Sequence, residues 1–285
     1  MRTVIIGASF SGLTCAYYLK KNNPLNEVII IEQNSELGKK VKATGNGKCN
    51  FTNNLLFNNI NKNNYDIYNH QDFVLNLIKK FDNNCTIKMF NELGLISKEI
   101  SEGRVYPYNE QAISVNKAFE LMIKKYNIKL LLNSKVIKIN KHNNKYNITY
   151  QIDTNNNYQN IDTDYVVAAS GGIASPDLGS DGSMFKVLDV FNLNKIPFLP
   201  GLSGIIVNDK SFSMLDGIRT KAFVKVFYDS KLIYCDNGEI QFKKEGISGI
   251  VIMNAESVAA RFHQDFTKFN FIVDFLYEYS KDELD

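Results

Sequence analysis

Four cysteines are scattered through this 285-residue sequence, Cys15, Cys49, Cys85 and Cys235, and none stands in a CxxC pair or at a metal-ligand spacing. They read as reduced, structural thiols, which counts against a dithiol redox mechanism. Histidine is scarcer still. His70, His142 and His263 are the only three, with no HExxH run and no grouping suited to a triad, so metal-assisted and serine hydrolysis are disfavoured. No apolar run is long enough to span a bilayer, and Arg2 leads straight into a core strand where a secretory leader would need a longer apolar region. The net charge of +3 comes without a dense Lys/Arg block, so neither nucleic acid nor a membrane is an expected partner. The expected place is the cytoplasm. Lys281 to Leu284 resembles an ER-retention string, but Asp285 follows it and it is discounted.

What is present suits a folded protein: 44% of residues are hydrophobic and 22% charged, over a length that fits one large or two modest domains. Asparagine doublets such as Asn63-Asn64 and Asn143-Asn144 mark loops.

The most informative stretch comes first. Val4, Ile5 and Ile6 form a short apolar strand that runs into Gly7-Ala8-Ser9-Phe10-Ser11-Gly12 and then into a helical pattern burying Leu13, Ala16 and Tyr17. A strand, a glycine turn and a helix N-terminus aim unpaired backbone N–H groups and the positive end of a helix dipole at one point, which suits a pyrophosphate. A second apolar strand, Val28 to Ile31, ends at Glu32, about twenty positions past Gly12, where a carboxylate accepts hydrogen bonds from a ribose 2′-hydroxyl. An acid there disfavours a 2′-phosphate, so the adenosine half belongs to FAD or NAD rather than NADP. Ser9 replaces the usual second glycine, at some cost in closeness of approach.

Further along, Gly38 to Asn54 is polar, glycine-bearing and without helix or strand period, as binding loops are. Two helical stripes follow, Phe73, Leu77, Ile78 and Phe81, then Val115, Ala118, Phe119 and Met122, both expected in the core. Leu130 to Leu132 reads as a buried strand. A β excursion spans Val136 to Ile139, the alternation at Tyr146, Ile148, Tyr150 and Ile152, and the region of Ile161. Val166 to Ala169 is expected as a buried strand ending in a second glycine turn, Ser170-Gly171-Gly172, followed by a helix with Met184, Val187, Leu188 and Phe191 on one face. Beyond Ile196-Pro197-Phe198-Leu199-Pro200-Gly201, short strands at 205–207, 223–228, 232–234 and 239–242, with a turn at Asn237-Gly238, predict a small antiparallel domain. A helix carries Val251, Asn254, Ala255 and Val258, and Phe262 to Asp285 reads as the start of something helical.

Laid out in this order, the chain resembles the BaiN/YhiN family of FAD-dependent oxidoreductases. Four motifs carry the resemblance: Leu37-Gly38-Lys39-Lys40 through Thr44-Gly45-Asn46-Gly47-Lys48-Cys49-Asn50-Phe51-Thr52-Asn53, with Lys48 where arginine is usual; Gly103-Arg104-Val105-Tyr106-Pro107; Ala169-Ser170-Gly171-Gly172; and Gly246-Ile247-Ser248-Gly249. The resemblance implies an α/β fold: a Rossmann-like FAD-binding domain of the glutathione-reductase type over 1–195, an inserted antiparallel β domain over 196–249, and the start of a helical subdomain over 250–285. It also implies the cofactor site. Gly7, Ser9, Phe10, Ser11 and Gly12 would hold the FAD pyrophosphate, with Lys40 neutralising phosphate charge, and Glu32 and Gln33 the adenosine ribose. Thr44, Gly45, Asn46, Gly47, Cys49 and Asn50 would wrap the flavin side, Val136 would lie near the adenine, and Ser170, Gly171 and Gly172 would close over the dinucleotide. Ser170 for threonine, Ser183-Met184 in a glycine-rich stretch, and Ile250 for proline depart from the family pattern. Family members also continue further and return a C-terminal segment to the flavin, so the resemblance implies a shortened chain with weakened stability and flavin affinity.

Three readings follow. One is a FAD-binding oxidoreductase exchanging hydride between flavin and a small organic substrate or NAD(P)H. Another is a dinucleotide-binding fragment that does not turn over. The third is a flavoprotein acting on RNA, against which the weak, dispersed charge counts. The sequence names no catalytic acid or base, no metal ligand, no second nucleotide-binding unit and no oligomeric state.

Overall fold

The computed structural model describes residues 1–57, 68, 70–153, 157–199, 201–262 and 266–284; Asn63-Asn64, Pro200 and His263 lie outside them. Two compact units divide the chain, one comprising Met1–Leu56 and Phe81–Ile196, the other Phe57–Lys80 and Pro197–Asp285.

At the centre of the first unit is a parallel sheet. Strands β1 (Arg2–Ile6) and β2 (Glu27–Ile31) flank the helix α1 (Phe10–Asn22), and the sheet order is β10–β1–β2–β6, with β6 at Lys129–Leu131 and β10 at Tyr165–Ala168; between β2 and β6 in the chain, β3 (Thr52–Asn53), β4 (Ser97–Glu99) and β5 (Arg104–Pro107) make a small separate sheet. Val4 pairs with Ile29 on one side and Val166 on the other. The two inner strands are apolar on both faces because both faces are covered. Ile5, Val28 and Ile30 pack against Leu13, Ala16 and Tyr17 of α1 and against Val115, Ala118, Phe119 and Met122 of the helix Ala112–Lys125. Val4, Ile6, Ile29 and Ile31 pack on the other face against Val136, Ile139, Ile148, Tyr150 and Met184. These come from an antiparallel meander, β7 (Ser134–His142), β8 (Lys145–Ile152) and β9 (Asn157–Thr163), and from the short helix Ser183–Leu188. Asn143 and Asn144, with φ of 45° and 62°, make the tight turn between β7 and β8, as the doublet implied.

Chain order runs outward from β1 to β2 and β6, then returns through β10 to the other side of β1. That reversal places the glycine turn after β1 and the turn after β10 side by side, at the carboxyl ends of the strands where open α/β sheets bind ligands. Strand β10 is at the sheet edge and is half-buried or exposed, not buried as expected, since only β1 pairs with it.

The second unit contains an antiparallel sheet, ordered β11 (Ile205–Ile206), β14 (Gly246–Ser248), β13 (Lys231–Lys243), β12 (Arg219–Tyr228) and β15 (Phe269–Asp274). Its core is Ala222, Val224, Val226, Tyr234 and Ile240 packed on Val251, Ile252, Ala255 and Val258 of the helix Ile250–Ala259. Asn237-Gly238 is not a turn but lies mid-strand, opposite Phe223 and Ala222. The hairpin turns instead at Asp229-Ser230, both at positive φ. Residues 269–274 form a strand, not a helix: Phe269, Phe271 and Val273 alternate with exposed Asn270, Ile272 and Asp274, a period of two that pairs with β12. The Phe73 stripe is not core either. In the helix Gln71–Ile78, Val74, Leu75 and Ile78 are half-buried, whereas Phe73 and Leu77 are 66% and 52% exposed.

Candidate functional site

Gly7 follows β1 with φ +108°, and a Cβ there would lie 2.5 Å from the Ala169 carbonyl oxygen, so only glycine lets the two turns touch. A Cβ on Gly12 would lie 2.0 Å from the Gly7 carbonyl oxygen, which seats α1 directly on the turn. Ser9 is the N-cap of α1 yet makes no capping bond, and the first helical turn holds no acid. The first intrahelical bond runs from the Leu13 N–H to the Ser9 carbonyl at 2.9 Å. The amides of Phe10, Ser11 and Gly12 precede it and have no intrahelical partner, at the positive end of the helix dipole. The Phe10 ring itself points away into the core, edge-on to Phe90 and Phe119.

Beside this turn, Glu32 is 8% exposed. One carboxylate oxygen accepts from the Ala8 N–H at 2.7 Å, and the other accepts from the Asn34 N–H at 2.9 Å and the Asn34 Nδ2 at 2.7 Å. Three donors anchor the carboxylate against the glycine turn. A carboxylate has about four acceptor positions, so one remains for an incoming hydroxyl.

Both features border one cleft, which encloses about 540 Å³ including the part open to solvent. Gly7, Ser9, Glu32, Gln33, Lys40, Val136, Ser170, Gly171 and Gly172 all line it, as do Ile6, Ile31 and Met184, which make an apolar patch. The structure adds residues that the sequence reading missed: Asn34, Lys135, Asp181 and Ser183. Bonds from one wall reach the loop on the other. Gln33 Nε2 donates to the Gly179 carbonyl at 2.9 Å, Lys39 Nζ to the Asp177 carbonyl at 2.7 Å, and Lys40 Nζ to Ser180 Oγ at 2.5 Å. Asp181 accepts from the Ser183 hydroxyl and amide and pairs with Lys135 at 3.2 Å, which lowers its carboxyl to about 2. The only local signal for that loop was its density of Asp, Gly and Ser after Gly172.

Phe10, Ser11, Gly12, Thr44, Gly45, Asn46, Gly47, Cys49 and Asn50 do not line this cleft. Gly45, Asn46, Gly47, Lys48 and Asn50 are exposed, while Cys49 is buried in the core, where desolvation pushes its thiol up. Lys48 and Lys98 both pair with Glu110, tying the loop to the turn before the helix Ala112–Lys125. Among the described residues, no helix is long and apolar enough to cross a membrane.

Residues 1–257 match the HI0933-like protein Rossmann domain. The chain belongs to this family. The BaiN/YhiN resemblance is thereby borne out, and with it the Rossmann-like fold and FAD as the cofactor of the family. Over 279 residues the chain is 30% identical to a 3-dehydro-bile acid delta(4,6)-reductase of Clostridium scindens, covering 97% of this chain and 65% of the reductase. Over 260 residues it is 25% identical to a ribosomal RNA dihydrouridine synthase of Haemophilus influenzae, covering 88% and 59%. The chain thus spans about two-thirds or less of these relatives. Among solved structures, the open conformation of a flavocytochrome c3 fumarate reductase matches 77% of this chain and 46% of its own, at 12% identity and a TM-score of 0.49. THI4 of Thermovibrio ammonificans matches 60% and 56%, at 16% identity and a TM-score of 0.41.

Proposed function

We propose that the cleft binds FAD and that the protein is an oxidoreductase exchanging hydride between flavin and a small organic substrate, with NAD(P)H as the other candidate partner. The observation that carries this reading is the first turn of α1: uncapped, free of acid, and beside a cleft bordered by an anchored carboxylate. The pyrophosphate would sit where Gly7, Ser9 and Lys40 line the cleft, against the amides of Phe10, Ser11 and Gly12 at the helix end just beside it. The free acceptor position of Glu32 would take a ribose hydroxyl beside Gln33, and the carboxylate would repel a 2′-phosphate. Val136, with Ile31 and Met184, offers the adenine an apolar seat, and Ser170, Gly171 and Gly172 face it from the second turn. The loop Thr44–Asn50, with exposed Gly45, Asn46 and Gly47 and with Cys49 buried beneath them, would lie toward the isoalloxazine ring. Bound FAD supplies the redox chemistry, and the protein's part is to bind, orient and shield it.

Absorbance in the flavin band during titration with FAD tests the reading. Saturable binding, with bleaching on addition of NADH or a substrate, supports the oxidoreductase. Binding without turnover supports the dinucleotide-binding fragment, and no binding defeats both. A second reading, chemistry on RNA, draws on the two relatives named ribosomal RNA dihydrouridine synthases, from Haemophilus influenzae and Escherichia coli. Salt-sensitive binding of ribosomal RNA would support it, and its absence at low salt would remove it.

A further inference from the structure

We infer that Asn116 is a positioning residue that clamps the corner before Lys40 and so sets the lysine in the cleft, an inference that rests on the cleft being a dinucleotide site. Asn116 lies in the helix Ala112–Lys125 beside Val115 and Phe119 and is 1% exposed. Burying an amide within an apolar stripe costs stability unless its groups are bonded. Nδ2 donates to the Leu37 carbonyl at 3.3 Å and the Gly38 carbonyl at 3.2 Å, while Oδ1 finds no hydrogen-bond partner among the described residues. An apolar side chain of similar volume would remove that orphaned acceptor, so the amide's contribution is the corner it holds.

That corner has little freedom. Gly38 sits at φ +62°, its N–H donates to the Ala8 carbonyl at 2.7 Å, and a Cβ there would lie 2.2 Å from Asn116 Oδ1. One peptide segment is therefore bonded to the glycine turn on one side and to Asn116 on the other. The short helix α2 (Lys39–Lys42) begins at the next residue, with the Lys42 N–H bonded to the Gly38 carbonyl at 3.2 Å. Two residues past the corner, Lys40 reaches across the cleft to Ser180 Oγ, beside Gly171, whose added Cβ would lie 2.6 Å from Lys40 Nζ. Releasing the corner should free Lys40 and loosen the Gly38 bond to the Ala8 carbonyl, while Glu32 keeps its bonds from the Ala8 and Asn34 N–H groups.

The test combines amide hydrogen exchange at Gly38 in flavin-free protein with titrations of FAD, ADP and adenosine. Wild type, Asn116→Ala, Lys40→Met and the double variant are compared. Asn116→Ala is expected to speed Gly38 exchange by about tenfold or more and weaken ADP by about fivefold, with adenosine affinity unchanged. In the Lys40→Met background it is expected to add less than about twofold, because both changes remove the same contact. Unchanged exchange, unchanged ADP affinity, or losses that multiply in the double variant would overturn the clamp. Asn116→Leu, which keeps the volume and removes the orphaned acceptor along with both bonds to the corner, gives the same readouts if the alanine variant does not fold. Wild-type protein that binds neither FAD nor ADP defeats the reading of the cleft, whereas wild-type binding with an indifferent Asn116→Ala defeats the clamp alone.

Discussion

The parallel sheet and the antiparallel sheet both use glycine at close approaches, but to different ends. At Gly7 and Gly12 the missing Cβ brings backbone against backbone and leaves helix-end amides open beside a cleft. At Gly238 it lets a helix come down on a strand, since a Cβ there would meet the Val251 side chain at 3.2 Å. One glycine setting leaves a helix end uncapped beside a cleft, and the other packs a core. Backbone contact alone does not separate the two, since a Cβ on Gly246 of the antiparallel sheet would also lie 1.9 Å from the Ile205 carbonyl oxygen; the uncapped helix end beside Gly7 and Gly12 does.

The comparison is broken or sharpened by substitutions on each side. Gly12→Val has the largest expected effect: α1 must lift off the turn, at about 3 kcal/mol or more, and flavin should be lost on purification, read by thermal unfolding and the visible spectrum. Gly238→Val should cost about 1–3 kcal/mol by overpacking while leaving flavin stoichiometry unchanged. Loss of flavin in that variant would erase the distinction. Glu32→Gln sets a donor against the Ala8 or Asn34 N–H groups and should weaken FAD by about tenfold, read by fluorescence titration. On the other side, Tyr234→Phe removes the buried bond at 3.1 Å to the Val251 carbonyl and should cost about 1 kcal/mol in chemical denaturation, with flavin affinity unchanged. The smallest effect concerns pH. The Ser183 hydroxyl, its amide and Lys135 lower Asp181 from an ordinary value of 3.8 to about 2. Its contribution is present above the ordinary value and is lost as pH falls toward 2. The difference in urea midpoint between wild type and Asp181→Asn should therefore shrink between about pH 4 and pH 2.

How much of this was legible in the sequence follows from range. The strand, glycine turn, helix and terminal Glu32 are local, and they stand in the order that the apolar runs and glycines imply. The antiparallel unit was legible as strands, because alternation survives in a single stretch. Asn237-Gly238 misled, since the same dipeptide fits a tight turn or a strand beneath a helix, and only the distant Val251 decides. The Phe73 stripe misled because Val74, Leu75 and Ile78 form a competing face in the same helix. Asn116 sits within a core stripe, and its partner is a loop about eighty positions earlier. Asp181 and Ser183 lie in a loop without periodicity, so nothing local tied them to Lys135 or to the cleft.

The most direct test of the central claim is the amide NMR spectrum of the protein titrated with FAD. Dinucleotide capture at the start of α1 predicts large shifts at Gly7, Ser9, Phe10, Ser11 and Gly12, with a smaller shift at Ala8, whose N–H is already held by Glu32. Saturable FAD binding that leaves those amides in place would contradict it.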